Sequence, residues 1–145
     1  MLLDPRGPRF NAAVTGVVFA VILVTGWWWL ALAQAVVFAI SAVDPRRGPY
    51  ALVFKSLVRP RLAPPTELEP AAPFRFAQSL GFVFAAVATV AFLAGATPVG
   101  IVAAAFGLAA AFLNSVFGLC LGCELYLVVR RLAGRAVPAR VPATD

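Results

Sequence analysis

Polar residues fall in blocks along this chain rather than alternating with apolar ones. From Phe10 to Val43 no residue carries a charge. As one helix that stretch would run about 51 Å, against a bilayer core of about 30 Å. A hairpin of two spans fits better, about 10–26 and 28–43, reversing at Gly26 with Trp27, Trp28 and Trp29 at an interface, where indole rings prefer to sit. Residues 44–75 follow as a polar, proline-rich connection. A third apolar run covers 76–95 behind Arg75, and Thr97-Pro98 marks a second uncharged turn. A fourth run, 99–129, would measure about 46 Å if unbroken, so it must tilt, protrude or bend, with Gly107, Gly118 and Gly122 as the candidate bends. The tail 130–145 is basic, then rich in proline.

This pattern predicts an all-α membrane protein: one integral membrane domain with four transmembrane helices arranged as two hairpins. Composition agrees, with 62% hydrophobic and 12% charged residues, against about 45–50% and about 25% in soluble domains. One rival is a cleaved secretory leader, suggested by Arg6, Arg9 and the string Ala31-Leu32-Ala33. The three tryptophans before that string, and the apolar run that continues past it, argue for a retained span.

Within the connection, PYALVFKSLVR interleaves Leu52, Val53, Phe54, Leu57 and Val58 with Lys55 and Arg59. Those residues suit either a short helix in the headgroup layer or a solvated loop. Pro60, Pro64 and Pro65 end any helix there. The strings DPRGP and DPRRGP, opening at Asp4 and Asp44, read as one turn used twice.

Charge sets the expected orientation. All 12 Lys and Arg residues fall in the leader, the central connection or the tail, and none in the turns near residues 26 and 97. Basic residues stay cytoplasmic, so both termini are expected inside a bacterial plasma membrane, as a multi-pass protein. The net charge of +6 then meets anionic lipid headgroups, with no need for nucleic acid.

Chemistry-bearing residues are few. Histidine is absent, which removes the commonest general base. The two cysteines, Cys120 and Cys123, sit with Glu124 in the string GLCLGCELYLVVRR near the end of the fourth run. In a straight helix the sulfurs lie about 15 and 10 Å inside the cytoplasmic boundary, where thiols are the default state. An ionised carboxylate there costs roughly 2.5–3.5 kcal/mol, so Glu124 is expected to be protonated, paired or beside water. Three readings stand side by side: redox or sulfur chemistry at a dithiol, Cu(I) held by two thiolates, and small soft residues packed beside Gly118 and Gly122. Apolar surroundings and a nearby carboxylate both oppose the thiolate, unless Arg130 or Arg131 offsets them. Asn114 falls roughly opposite Cys123 on an ideal helical wheel. With Gln34 and Gln78, it is expected to act as amide glue between helices. Alanines such as Ala103, Ala104, Ala109, Ala110 and Ala111 favour close helix contacts.

Three stretches, DPRGPRFNAAVTGVV at 4–18, LVRPRLAPPTELEPAAPFRFAQSLG at 57–81 and AAAFLNSVFGLCLGCELYLVVRR at 109–131, resemble a family of small bacterial membrane proteins of unknown function found in actinobacteria. Its most distinctive element is the Asn-x5-Cys-x2-Cys-Glu string formed here by Asn114, Cys120, Cys123 and Glu124. The resemblance implies a four-span integral membrane protein, often encoded near thioredoxin-like and sulfurtransferase proteins, and it favours the thiol reading.

The resulting expectation is a Cys120/Cys123 pair that exchanges electrons or sulfur with a cytoplasmic partner, with Glu124 managing protons and Arg131 as its counter-charge. Asn114 and Arg130 would support that site. No cofactor or metal is called for, and stand-alone enzymatic activity is not predicted. The alternatives are a non-enzymatic scaffold that binds lipid or a partner through 44–73, and a soft-metal handling protein.

Overall fold

A computed structural model describes residues 1–143; the last two residues of the tail lie outside it. Six helices account for most of the chain: α1 (Arg6–Thr25), α2 (Trp28–Val43), α3 (Pro49–Val53), α4 (Ala71–Leu93), α5 (Thr97–Phe117) and α6 (Leu121–Leu132). Helices α1, α4 and α5 are each long and apolar enough to cross a membrane, while α2 is a shorter apolar helix of 16 residues.

Helix boundaries follow local chemistry. Gly26 closes α1 in the left-handed region at φ 65°, its N–H donating to the Ile22 carbonyl at 2.7 Å. That conformation suits a residue without Cβ. Helix α4 begins five residues earlier than the sequence suggests, at Ala71. Pro73 falls in its first turn, where a missing N–H costs nothing. Arg75 therefore lies inside α4 and donates from Nε to the Ala42 carbonyl of α2 at 2.7 Å.

Helix α1 packs along α5 and α2 along α4, with α4 and α5 also in contact. Two aromatic side chains fill the seams. The Phe19 ring of α1 lies where a Cβ on Gly107 of α5 would fall, and Phe38 of α2 lies likewise over Gly81 of α4. Around them Ile22, Ala31, Ala35, Ala85, Ala88 and Ala104 complete a core of small and aromatic residues. Without a hydrophobic drive between helices in lipid, such close backbone approach carries the packing. Gln34 behaves as amide glue, donating to Thr15 Oγ1 at 3.4 Å and accepting from the Tyr50 hydroxyl at 2.7 Å.

The connection contains helix after all. Helix α3 continues through a wider π-type turn at Phe54–Val58 and a tight turn at Arg59–Arg61, after which Leu62 is extended. Phe54 is buried against Phe10, with ring centroids 5.7 Å apart, while Leu52, Val53 and Leu57 are exposed. The two D-P-R strings do form matching turns. Asp4 Oδ1 accepts from the Arg6 N–H and Asp44 Oδ1 from the Arg46 N–H, both at 3.0 Å.

Three short antiparallel strands close one end of the bundle. β1 (Leu2–Leu3) pairs with β2 (Glu67–Pro70), which pairs with β3 (Val141–Pro142). Arg140 reaches Glu69 at 3.5 Å and Glu67 at 3.8 Å across it. The sheet gathers leader, connection and tail at one end, as the charge pattern requires, and leaves the turns at Gly26 and Gly95 at the other.

The fourth apolar run is not one helix. It divides into α5 and α6 at Gly118, whose φ is 69°. Of the three candidate bends only Gly118 breaks the chain; Gly107 and Gly122 are points of close helix contact.

Candidate functional site: a disulfide between two cavities

The break at Gly118 builds the site. The N–H groups of Gly118 and Leu119 donate back to the Asn114 and Leu113 carbonyls at 3.0 and 3.2 Å. Arg9 of α1 lies beside the Ser115 and Val116 carbonyls, with Nη2 3.4 Å from each. A cation there suits the negative end of the α5 dipole. The chain then turns through Leu119, and α6 starts afresh with Cys120 as its N-cap, in extended conformation.

This placement replaces the sequence expectation of sulfurs deep within a continuous span. Cys120 Sγ accepts from the Cys123 N–H at 3.3 Å, occupying the position that a serine or aspartate oxygen takes in ordinary caps. Cys120 and Cys123 are joined as a disulfide, with Cα atoms 5.2 Å apart, where thiols were expected. The separation lies inside the usual range for such bridges. The thiolate argument also changes, because a helix N-terminus favours negative charge on a sulfur that caps it.

Helix α6 rests on the start of α4. A Cβ on Gly122 would fall 2.7 Å from Ala77 Cα, so only glycine lets the two backbones meet. Tyr126 packs on Phe76 with ring centroids 5.6 Å apart. Arg130 lies over the Tyr126 ring, donates to its hydroxyl at 3.1 Å and donates to the Ala136 carbonyl at 2.8 Å. Arg130 thus ties the tail to α6 and does not approach the sulfurs. Arg131 is exposed, and among the described residues it makes no ion pair with Glu124. Seven residues of helix separate the two by about 10.5 Å, too far for the expected pairing. Glu124 itself is exposed in the first turn of α6.

Two cavities meet at the disulfide. One, of about 250 Å³, lies among α1, α2, α4, α5 and α6; Phe19, Phe38, Phe84 and Phe106 line it, with Asn11, Thr15, Gln78, Asn114 and Cys120 as polar groups. The other, of about 450 Å³, lies beside the sheet. Arg6, Arg9, Glu69, Glu124 and Arg140 line it, together with both cysteines. Cys120 and Asn114 border both cavities, whereas Cys123 borders only the charged one. Asn114 and the cysteines therefore share one site, contrary to the helical-wheel expectation, because the wheel assumed an unbroken helix.

The carboxylates of the charged cleft differ. Burial alone would raise Asp4, but hydrogen bonds from the Arg6 guanidinium at 2.8 and 3.0 Å and from its N–H hold the carboxyl below its usual range. Glu69 is pushed up by burial, which Arg140 only partly offsets. Among the described residues no three His, Cys, Asp or Glu side chains converge as a metal site, so a soft metal would find two sulfurs at most.

Sequence reasoning assigned Gln78 to interhelical glue. The structure instead buries it to 7% exposure in the wall of the apolar cavity, with Oε1 lacking a hydrogen-bond partner among the described residues. Its only signal in sequence is an amide in an uncharged span. Nothing in the sequence marks Arg9 as the residue beside the end of α5.

A family model described as a domain of unknown function, DUF4395, matches residues 3–131. Comparison with curated proteins and with solved structures yields no match.

Proposed function

The chain belongs to the DUF4395 family of proteins of unknown function, and from that premise and the site geometry we propose a membrane-embedded thiol–disulfide exchange protein. In this reading α1, α2, α4 and α5 all span the plasma membrane, with the sheet, the charged cleft and both termini on the cytoplasmic side. The one-sided distribution of arginine supports this orientation. So does the segment 49–61, whose exposed Leu52, Val53 and Leu57 beside Lys55, Arg59 and Arg61 suit an anionic headgroup layer.

The carrying observation is a disulfide at a helix N-cap, open to a charged cleft. A partner thiolate attacks Cys123 Sγ, which borders only that cleft. The S–S bond breaks and its electron pair leaves on Cys120, where the α6 N-terminus and the Cys123 N–H stabilise the thiolate. A second partner thiol attacks the mixed disulfide, leaving the partner oxidised and the Cys120/Cys123 pair reduced. Glu124, one residue from Cys123, is placed to take up and return protons at the cleft. A dithiol partner of thioredoxin-like chemistry meets these requirements.

Trapping tests the order of attack. Run in reverse, Cys123 attacks an oxidised partner and Cys120 then displaces that partner, so in cells Cys120→Ser removes the displacing sulfur and is expected to accumulate mixed disulfides, visible as reducible adducts by mass spectrometry. Cys123→Ser is expected to accumulate far fewer. Adducts from neither variant would end the exchange reading, and adducts chiefly from Cys123→Ser would reverse the assigned roles.

A further inference from the structure

The exchange cycle leaves Cys120 and Cys123 reduced, so something must take two electrons before the next turn. The apolar cavity touches only Cys120 of the pair, whereas the charged cleft touches both cysteines. At about 250 Å³ it exceeds the ~150 Å³ that accommodates a benzene ring in an apolar protein interior. Its lining residues Phe106, Leu121 and Leu125 are 60%, 45% and 46% exposed. They put exposed apolar faces of α5 and α6, suited to lipid, beside the cavity.

In the cavity wall sits the Gln78 amide, whose oxygen has no partner among the described residues. A buried polar atom without a hydrogen bond costs about 1–3 kcal/mol, and an amide can both donate to a carbonyl and accept from a hydroxyl. A hydroxyl on a ligand satisfies that oxygen, and when the ligand changes to its carbonyl form the amide N–H can donate to it instead. We propose that this cavity binds the ring of a lipid-soluble para-quinone, which reoxidises the Cys120/Cys123 dithiol. The inference rests on the exchange reading above. The step balances: the two thiols give up two electrons and two protons, the S–S bond forms, and the quinone becomes the quinol with one proton on each oxygen. Cys120 faces the ring and delivers the electrons. The amide of Gln78 donates to the quinone carbonyl and accepts from the quinol hydroxyl.

The test uses the full chain in lipid nanodiscs, with the pair reduced by a phosphine that is removed before quinone is added, so that the quinone step does not depend on thiol exchange or on the reductant. A decyl-chain benzoquinone and a short-chain naphthoquinone serve as probes. Disulfide formation is read by alkylation and mass, and quinol by absorbance. The expected result is quinone-dependent oxidation with one quinol formed per disulfide. Gln78→Leu should slow this step about tenfold, as loss of one hydrogen bond implies, and Ala110→Leu, which fills the cavity, should slow it as well. Both variants should still exchange with dithiothreitol at the wild-type rate, and an unchanged thermal melt reports that they are folded. The proposal fails if the reduced wild type oxidises no faster with quinone than without it, if both variants match the wild type, or if the end product is a covalent quinone adduct. Normal dithiothreitol exchange alongside any of these outcomes would overturn the quinone site alone; absence of exchange would overturn the exchange reading itself.

Discussion

At one end of the bundle Gly26 and Gly95 reverse the chain with φ of 65° and 78°, Trp27 stacks on Trp29 at 5.1 Å, and no charged side chain lies nearby in sequence. At the other end a three-stranded sheet, the helical segment 49–61, α6 and both cavities crowd together with every charged group among the described residues. The same helices run between the two ends, so the difference lies in how the chain connects them. Short turns need only a glycine and a hydrogen bond. Long connections bring polar backbone that must be satisfied outside the lipid, and the polar structure they build is where a reactive group can meet water and apolar space together.

The strongest way to break this contrast is to ask which compartment each end faces. On a background with both native cysteines replaced, a cysteine at Ala96 should react with an impermeant maleimide in intact cells, while one at Ser56 should react only after permeabilisation. Reversal would move the disulfide to the outer face and remove cytoplasmic partners from the proposed cycle. Labelling of both from one side would mean that α4, the one long helix between these two positions, does not cross, whereas a short α2 that fails to cross would give the reversal.

Glycines sharpen the comparison at the next level. Gly107 lies in the bundle under the Phe19 ring, whereas Gly122 lies at the cysteine end against the Ala77 backbone. Gly107→Ala forces a fully buried ring to move, and overpacking of this kind costs about 1–3 kcal/mol, so the melting temperature in detergent should fall. Gly122→Ala instead pushes α6 off α4. It should leave global melting nearly unchanged while raising amide exchange across α6, since none of its residues belongs to the buried core. Equal effects in both assays would mean that α6 unfolds with the bundle.

Those glycines also show how far the sequence could be read. The charge-free runs gave the apolar helices and the end at which the charges gather, because burial of a charge in lipid is costly enough to leave gaps that a reader can see. Gly107, Gly118 and Gly122 look alike on paper. Only the packing distinguishes a left-handed turn from a hole for a neighbour, and that choice at Gly118 converts an over-long span into a capped cysteine. Gln78 was equally hidden: its amide resembles that of Gln34, yet Gln34 finds Thr15 and Tyr50 while Gln78 Oε1 finds no partner among the described residues. The turn chemistry of Asp4 and Asp44 was legible, because a carboxylate accepting from the N–H two residues on is a local device.

The smallest expected effect belongs to the carboxylates that hold the strands at the cysteine end. Asp4 titrates below its ordinary 3.8 in the folded protein, so it contributes stability above that value, lost as pH falls through the lowered one. Glu69 titrates above its ordinary 4.5, so the folded state holds its proton more tightly than the unfolded state, and docking weakens as pH rises from 4.5 through the raised value. The two slopes oppose each other. Docking of β1 on β2 should be firmest between them. The readout is exchange protection of the Ala71 amide, which donates to the Met1 carbonyl at 3.1 Å, corrected for the intrinsic pH dependence of exchange. Glu69→Gln should abolish the weakening above pH 4.5 and leave the acid-side loss in place. Asp4→Asn should remove the acid-side loss and, by deleting a neighbouring negative charge, bring Glu69 closer to its ordinary value. If Glu69→Gln left the weakening above 4.5 unchanged, burial of Glu69 would not be its source, and the sheet would owe its pH response to groups elsewhere in the cleft.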